Sequence, residues 1–143
     1  MYKRKIGLAV GILVLAGFFF GLQQPAFSSG KQINWYTYEE GVDQARRQNK
    51  NMVIYFHAEW CAYCTQMEKE TFTDAAVIGF LNTNAVAVKV DVDREKQIAR
   101  KYGVRGLPAT FLMLVDGHQV GPLPGFIPPR SYLAMLSKIF SQS

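Results

Sequence analysis

The sequence predicts an α/β domain with a mixed sheet of four or five strands flanked by helices. Apolar runs at residues 52–56 and 85–90, rich in β-branched and aromatic side chains, alternate with segments of helical spacing. Asp116-Gly117 lies between two further strand-like runs and marks a hairpin, so the sheet contains an antiparallel pair beside strands linked through helices. The length of 143 residues suits one folded core, large enough to stand without structural disulfides.

The chain opens with Lys3, Arg4 and Lys5, followed by an uncharged stretch whose most apolar part is residues 6–22. This is an export leader. Ala26-Phe27-Ser28 offers small residues for cleavage after Ser28, whereas the length of the apolar run also suits an N-terminal membrane anchor. Residues 1–28 are therefore a signal peptide or anchor, residues 29–143 form the domain, and membrane contact follows only if the leader is retained. The expected location is periplasmic or otherwise extracytoplasmic. The three leader cations supply much of the net charge of +5, leaving only +2 for the rest. With no dense basic cluster interleaved with aromatics there, a nucleic-acid partner is not expected.

Residues 33–36 read as a short edge strand. Thr37 and Glu40 have capping-box spacing and start a helix to about Asn49, with Val42, Ala45 and Tyr38 toward the core. A strand at residues 52–57 leads into a turn and a helix over residues 61–72. Asp74 caps a helix at residues 75–81, which Asn82-Thr83-Asn84 ends. A buried strand at residues 85–90 is followed by a charged helix at residues 94–102 that stops at Gly103. A strand at residues 110–115 turns through the hairpin to an edge strand at residues 119–123, which Pro122 keeps from the sheet interior. Pro128-Pro129 begins the last helix, with Tyr132, Leu133, Leu136 and Phe140 on one face.

The chemistry concentrates in Trp60-Cys61-Ala62-Tyr63-Cys64, which holds both cysteines of the chain. At a strand-to-helix junction the first sulfur meets the unpaired N–H groups and positive dipole end of the helix, which favour a thiolate. Cys61 is thus the expected nucleophile. Cys64, one helical turn on, can resolve a mixed disulfide. A metal is not expected, because His57 and His118 are the only further soft ligands and zinc needs four. No cofactor is required.

The motifs Ala58-Glu59-Trp60-Cys61 with Cys64, Asp91-Val92-Asp93 and Gly106-Leu107-Pro108 together resemble the thioredoxin family over residues 33–140. The segments around Phe56-His57-Ala58 and Glu68-Lys69-Glu70-Thr71-Phe72 are similar to the C-terminal periplasmic domain of the disulfide reductase DsbD and to related exported thioredoxins. The resemblance implies a thioredoxin fold, a cis Pro108 beside the sulfurs, and pairing of the Leu107 backbone with a substrate strand. Trp60 is expected either to shape the docking surface or to pack in the core.

The family places a buried Asp six residues before the first cysteine, where this chain has Tyr55, a poor base at neutral pH. Glu68 and His57 are the candidates for proton transfer and tuning, against the plainer readings of a solvated helix carboxylate and a hydrogen-bonded strand-end residue. The expected function is thiol–disulfide exchange, reducing the disulfides of substrate proteins. A membrane electron donor similar to the rest of DsbD would re-reduce the pair. Oxidase or isomerase action, or a thiol-dependent factor for cytochrome c or copper assembly, are the alternatives.

Overall fold

The segment Asn51–His57 forms the middle of the molecule because its first six residues are all buried. Side-chain alternation sends Val53 and Tyr55 to one face and Met52, Ile54 and Phe56 to the other, so both faces need cover. The computed structural model describes residues 30–142. The leader assigned to residues 1–28 lies outside them. Among the described residues no helix is long and apolar enough to cross a membrane.

The elements run β1 (Trp35–Tyr36), α1 (Tyr38–Gln48), β2 (Asn51–His57), α2 (Ala62–Glu70), α3 (Ala75–Asn84), β3 (Ala85–Asp91), α4 (Lys96–Lys101), β4 (Ala109–Met113), β5 (Gln119–Pro124) and α5 (Pro129–Phe140). The sheet order is β1-β3-β2-β4-β5. Strands β1, β3 and β2 are parallel, whereas β4 runs antiparallel to both β2 and β5. This is a thioredoxin fold. Helices α2, α3 and α5 cover the face of Val53 and Tyr55, while α1 and α4 cover the face of Ile54 and Phe56.

Local signals account for most element ends. Thr37 and Glu40 form the capping box, each side chain bonding the other's backbone N–H. Asp74 caps α3 by accepting from Ala76 and Val77 N–H. Where boundaries differ from expectation, specific hydrogen bonds accompany the difference. Helix α2 stops before Thr71, whose buried hydroxyl donates to the Ile127 carbonyl. Helix α3 continues through Asn84 rather than ending at Leu81, because Asn82 turns outward to serve another segment: its side chain accepts from Asn34 N–H and donates to the Gln32 carbonyl. Strand β4 ends at Met113 because Leu114 N–H is already committed to the His118 carbonyl, opening the hairpin loop earlier than Asp116-Gly117 alone suggests. Helix α4 begins at Lys96, after a turn in which Glu95 N–H bonds the Asp91 carbonyl.

In α1, Tyr38 is buried and Val42 and Ala45 pack, partly exposed, against the same core, with Gly41 the other best-buried residue. Gly41 brings the helix backbone against β3, and a methyl at that position would overlap Val88 Cγ2. At the opposite edge Gly121 has φ 128° and lies against Phe111 and the Thr110 carbonyl, where the β4–β5 register is irregular. Gly41→Ala is expected to cost about 1–3 kcal/mol of stability by overpacking. A denaturant titration checks this, and Val88→Ala in the same chain should recover part of the loss.

Candidate active site

Because β2 and β3 are parallel and His57 pairs with Asp91, the loops that follow them emerge side by side. They are joined by a bond from Val92 N–H to the His57 carbonyl (3.0 Å) and by an Arg94–Glu59 ion pair (3.2 Å). Strand β4 is antiparallel and pairs Ala109 with Phe56, so residues 106–108 enter at the same end of the sheet. Three loops distant in sequence thus converge around the start of α2.

Cys61 is the N-cap of α2 and its sulfur accepts the Cys64 backbone N–H at 3.2 Å. A capping sulfur at a helix N-terminus faces unpaired amides and the positive dipole end, both of which stabilise negative charge on it. Cys61 and Cys64 form a disulfide with Cα atoms 5.2 Å apart. The residues are 6% and 1% exposed, so Cys61 is the more accessible. Around this recessed pair the neighbouring aromatics stand clear of the surface, with Trp60 70% and Tyr63 65% exposed. Core packing of Trp60 is thereby overturned. Its indole N–H instead donates to Asp93 Oδ2 at 2.8 Å, across from the β3–α4 loop.

The Leu107–Pro108 peptide bond is cis, as is Gly121–Pro122. Pro108 is buried and its carbonyl accepts from Gly125 N–H (2.8 Å). Leu107 packs partly into both cores. Among the described residues its backbone N–H and carbonyl have no hydrogen-bond partner.

Beneath the pair lies a polar cluster on the α2 face of the sheet. Tyr55 is fully buried, and its hydroxyl lies 3.3 Å from the Cys64 carbonyl and 3.4 Å from Glu68 Oε1, donating to either. Burial, followed by the nearby Glu68 charge, pushes the Tyr55 phenol well above its ordinary value. Tyr55 therefore acts as a donor and not as a base. Glu68 also meets Lys89 Nζ (3.0 Å) and His57 Nδ1 (3.7 Å), and the His57 ring stacks on Tyr55. Burial chiefly, with help from Lys89, holds the His57 imidazole below its ordinary value, against the opposing pull of Glu68, Asp91 and Glu59. Lys89 is therefore the cation that faces Glu68 at neutral pH. His118 lies on the hairpin, 2.8 Å from Asp116.

The structure thus groups His57 and Glu68 with Cys64. It adds Lys89 and gives roles to Asp93 and Tyr63, which lay in the motifs without one. A lone lysine in the otherwise apolar run of residues 85–90 was a signal for Lys89. That Asp93 bonds Trp60 carried no local signal, since the two are 33 residues apart.

Residues 38–140 match the thioredoxin-like domain family. The chain belongs to this family. It is 38% identical over 84 residues to thioredoxin H4 of Arabidopsis thaliana, covering 59% of this chain and 67% of that one. It is 30% identical over 98 residues to the thiol:disulfide interchange protein DsbD of Haemophilus ducreyi, covering 64% of this chain but 17% of DsbD. The solution structure of a thioredoxin from Thermus thermophilus superposes with a TM-score of 0.71 at 30% identity, covering 76% of this chain and 88% of that one. Several curated relatives are much longer, and the chain spans only 13–17% of their length. In this thioredoxin-like chain the Cys61–Cys64 disulfide stands at the strand–helix junction between β2 and α2.

The neutral state of His57 has a consequence for stability. Unfolded, the imidazole takes up its proton near pH ~6.5, whereas the folded chain resists protonation until lower pH. The unfolded state then binds more protons, so stability is lost as pH falls below about 6.5. Denaturant midpoints measured from about pH 7.5 to about pH 5 should fall less steeply in His57→Gln than in the parent chain.

Proposed function

We propose that this chain reduces disulfides of protein substrates in an extracytoplasmic compartment, with Cys61 as nucleophile and Cys64 as resolving thiol. The observation that carries the assignment of roles is the Cys64 amide aimed at the Cys61 sulfur at the head of α2. In the dithiol form, the Cys61 thiolate attacks one sulfur of the substrate disulfide and the other substrate sulfur leaves as a thiolate that takes up a proton. Cys64 loses its proton, attacks the Cys61 sulfur and releases the second substrate thiolate, which is protonated in turn. Two electrons have then passed to the substrate, and the chain holds the Cys61–Cys64 disulfide.

The unpartnered backbone of Leu107 beside Pro108 suits pairing with an extended substrate segment, and Trp60 with Tyr63 offers flat apolar contact on either side of the recessed disulfide. Glu68, anchored by Lys89 and Tyr55 one helical turn beyond Cys64, is the acceptor for the Cys64 proton, and His57 tunes the field there. A reducing direction is supported by the pair's surroundings. Ala62 and Tyr63 bring no cation to the Cys61 sulfur, and His57 is held neutral by burial, whereas strongly oxidising pairs owe their potential to a stabilised reduced form. A dithiol donor must restore the active form, and a membrane conduit similar to that of DsbD fits a chain led by an export signal.

The reduction potential of the Cys61/Cys64 couple tests the direction: a value near about −270 mV is expected, whereas about −180 to −120 mV would move the assignment to isomerase or oxidase. Cys64→Ser should accumulate a mixed disulfide through Cys61 and lose turnover. Glu68→Gln should leave formation of that mixed disulfide intact while slowing its resolution by roughly a hundredfold, as stopped-flow measurement of the two phases would reveal.

A further inference from the structure

On the face of the sheet away from the disulfide's helix, a groove of about 460 Å³ runs between α1, the end of α4, the start of β2 and the end of β4. Its size lies within the range of small-molecule sites, about 300–1,000 Å³. The floor is apolar and adaptable: Tyr38, Met52 and Tyr102 are buried there, and Met113 is half-buried. Val42 and Ala45, packed on the core but partly exposed, line one wall.

The charges of this groove are all of one sign. Arg46, Lys50 and Lys101 line it, and no carboxylate does. Among the described residues none of these three side chains has a carboxylate partner, although the adjacent Arg47 pairs with Asp43. Lys101 is held by two of the lining tyrosines: Nζ donates to Tyr38 Oη (3.0 Å) and lies 5.3 Å and 5.9 Å from the centres of the Tyr38 and Tyr102 rings. Those partners are neutral, so its charge is left uncompensated. A concave apolar floor under three uncompensated cations complements a molecule with a flexible hydrocarbon body and one anionic head.

We infer that this groove binds a free single-chain fatty carboxylate, its tail along Met52, Met113 and Val42 and its head among Arg46, Lys50 and Lys101. The three cations line the same groove as its apolar floor, which favours a single molecule with one anionic head over a membrane surface. The site is separate from the dithiol and does not rest on the reductase reading.

Decanoate, kept below its micelle-forming concentration, is the probe, titrated into the exported protein with ¹³C-methyl methionine and amide spectra as readout. The Met52 and Met113 methyl signals and the amides of α1 should shift with a single dissociation constant. The combined change Arg46→Gln with Lys50→Gln, at an exposed and a half-buried position, should weaken that constant roughly tenfold, as should replacing decanoate by decanol. The Cys61/Cys64 potential of the doubly changed protein should equal that of the parent. Equal affinity for decanol and decanoate would overturn the proposal, as would equal shifts with acetate, which would show charge attraction alone. Binding to vesicles of anionic phospholipid without binding to monomeric decanoate would overturn it in favour of a membrane-facing surface.

Discussion

Burial of β2 on both faces constrains almost everything else in the molecule. A strand covered from both sides can carry polar chemistry only at its ends, and in β2 the polarity begins at Tyr55 and His57, just before the chain turns toward Cys61. Tyr55 cannot leave its hydroxyl unpaired in the core without a penalty of about 1–3 kcal/mol. It satisfies that requirement on the Cys64 carbonyl and Glu68, and so fixes the first turn of α2 to the sheet. The position of the disulfide is thus a product of the core and not of the loop that carries it.

The same arrangement separates two electrostatic tasks. At the head of α2, backbone amides supply the favourable field for the Cys61 sulfur without any charged side chain. Beneath it, Lys89 and Glu68 supply a charged pair that burial of His57 keeps from becoming a net positive cluster. The amide field thus faces the Cys61 sulfur, while the Glu68 carboxylate meets the Cys64 side of the helix through the Tyr55 hydroxyl. Such a division suits a reaction in which the two sulfurs act in sequence.

Much of this was legible in the sequence because the relevant signals are local. The capping box at Thr37 and Glu40, the Asp74 cap, the C-x-x-C at a strand–helix junction and the proline-bearing edge strand each depend on residues within a few positions of one another. What was not legible depends on residues far apart. The early end of α2 follows from Thr71 bonding Ile127, the continuation of α3 from Asn82 turning to residues 32–34, and the exposed pose of Trp60 from Asp93. Helical periodicity placed Val42 and Ala45 toward the core, where they pack, yet it could not foresee the close approach of Gly41 to Val88. The exchange of the usual Asp for Tyr55 was visible, but its bond to Glu68, which Lys89 holds in turn, required three elements to be folded together.

The bonds that Asn82 makes to residues 32 and 34 also have a mechanical meaning. The strand that follows, β1, has only two residues and lies at the sheet edge, so tension applied from the N-terminal side would otherwise unzip it one ladder bond at a time. Asn82 diverts that load into α3, whose Val77, Ile78 and Leu81 are embedded in the core. Strain entering at residues 32–34 is thereby borne by a helix on the same face as the disulfide and not by the edge of the sheet.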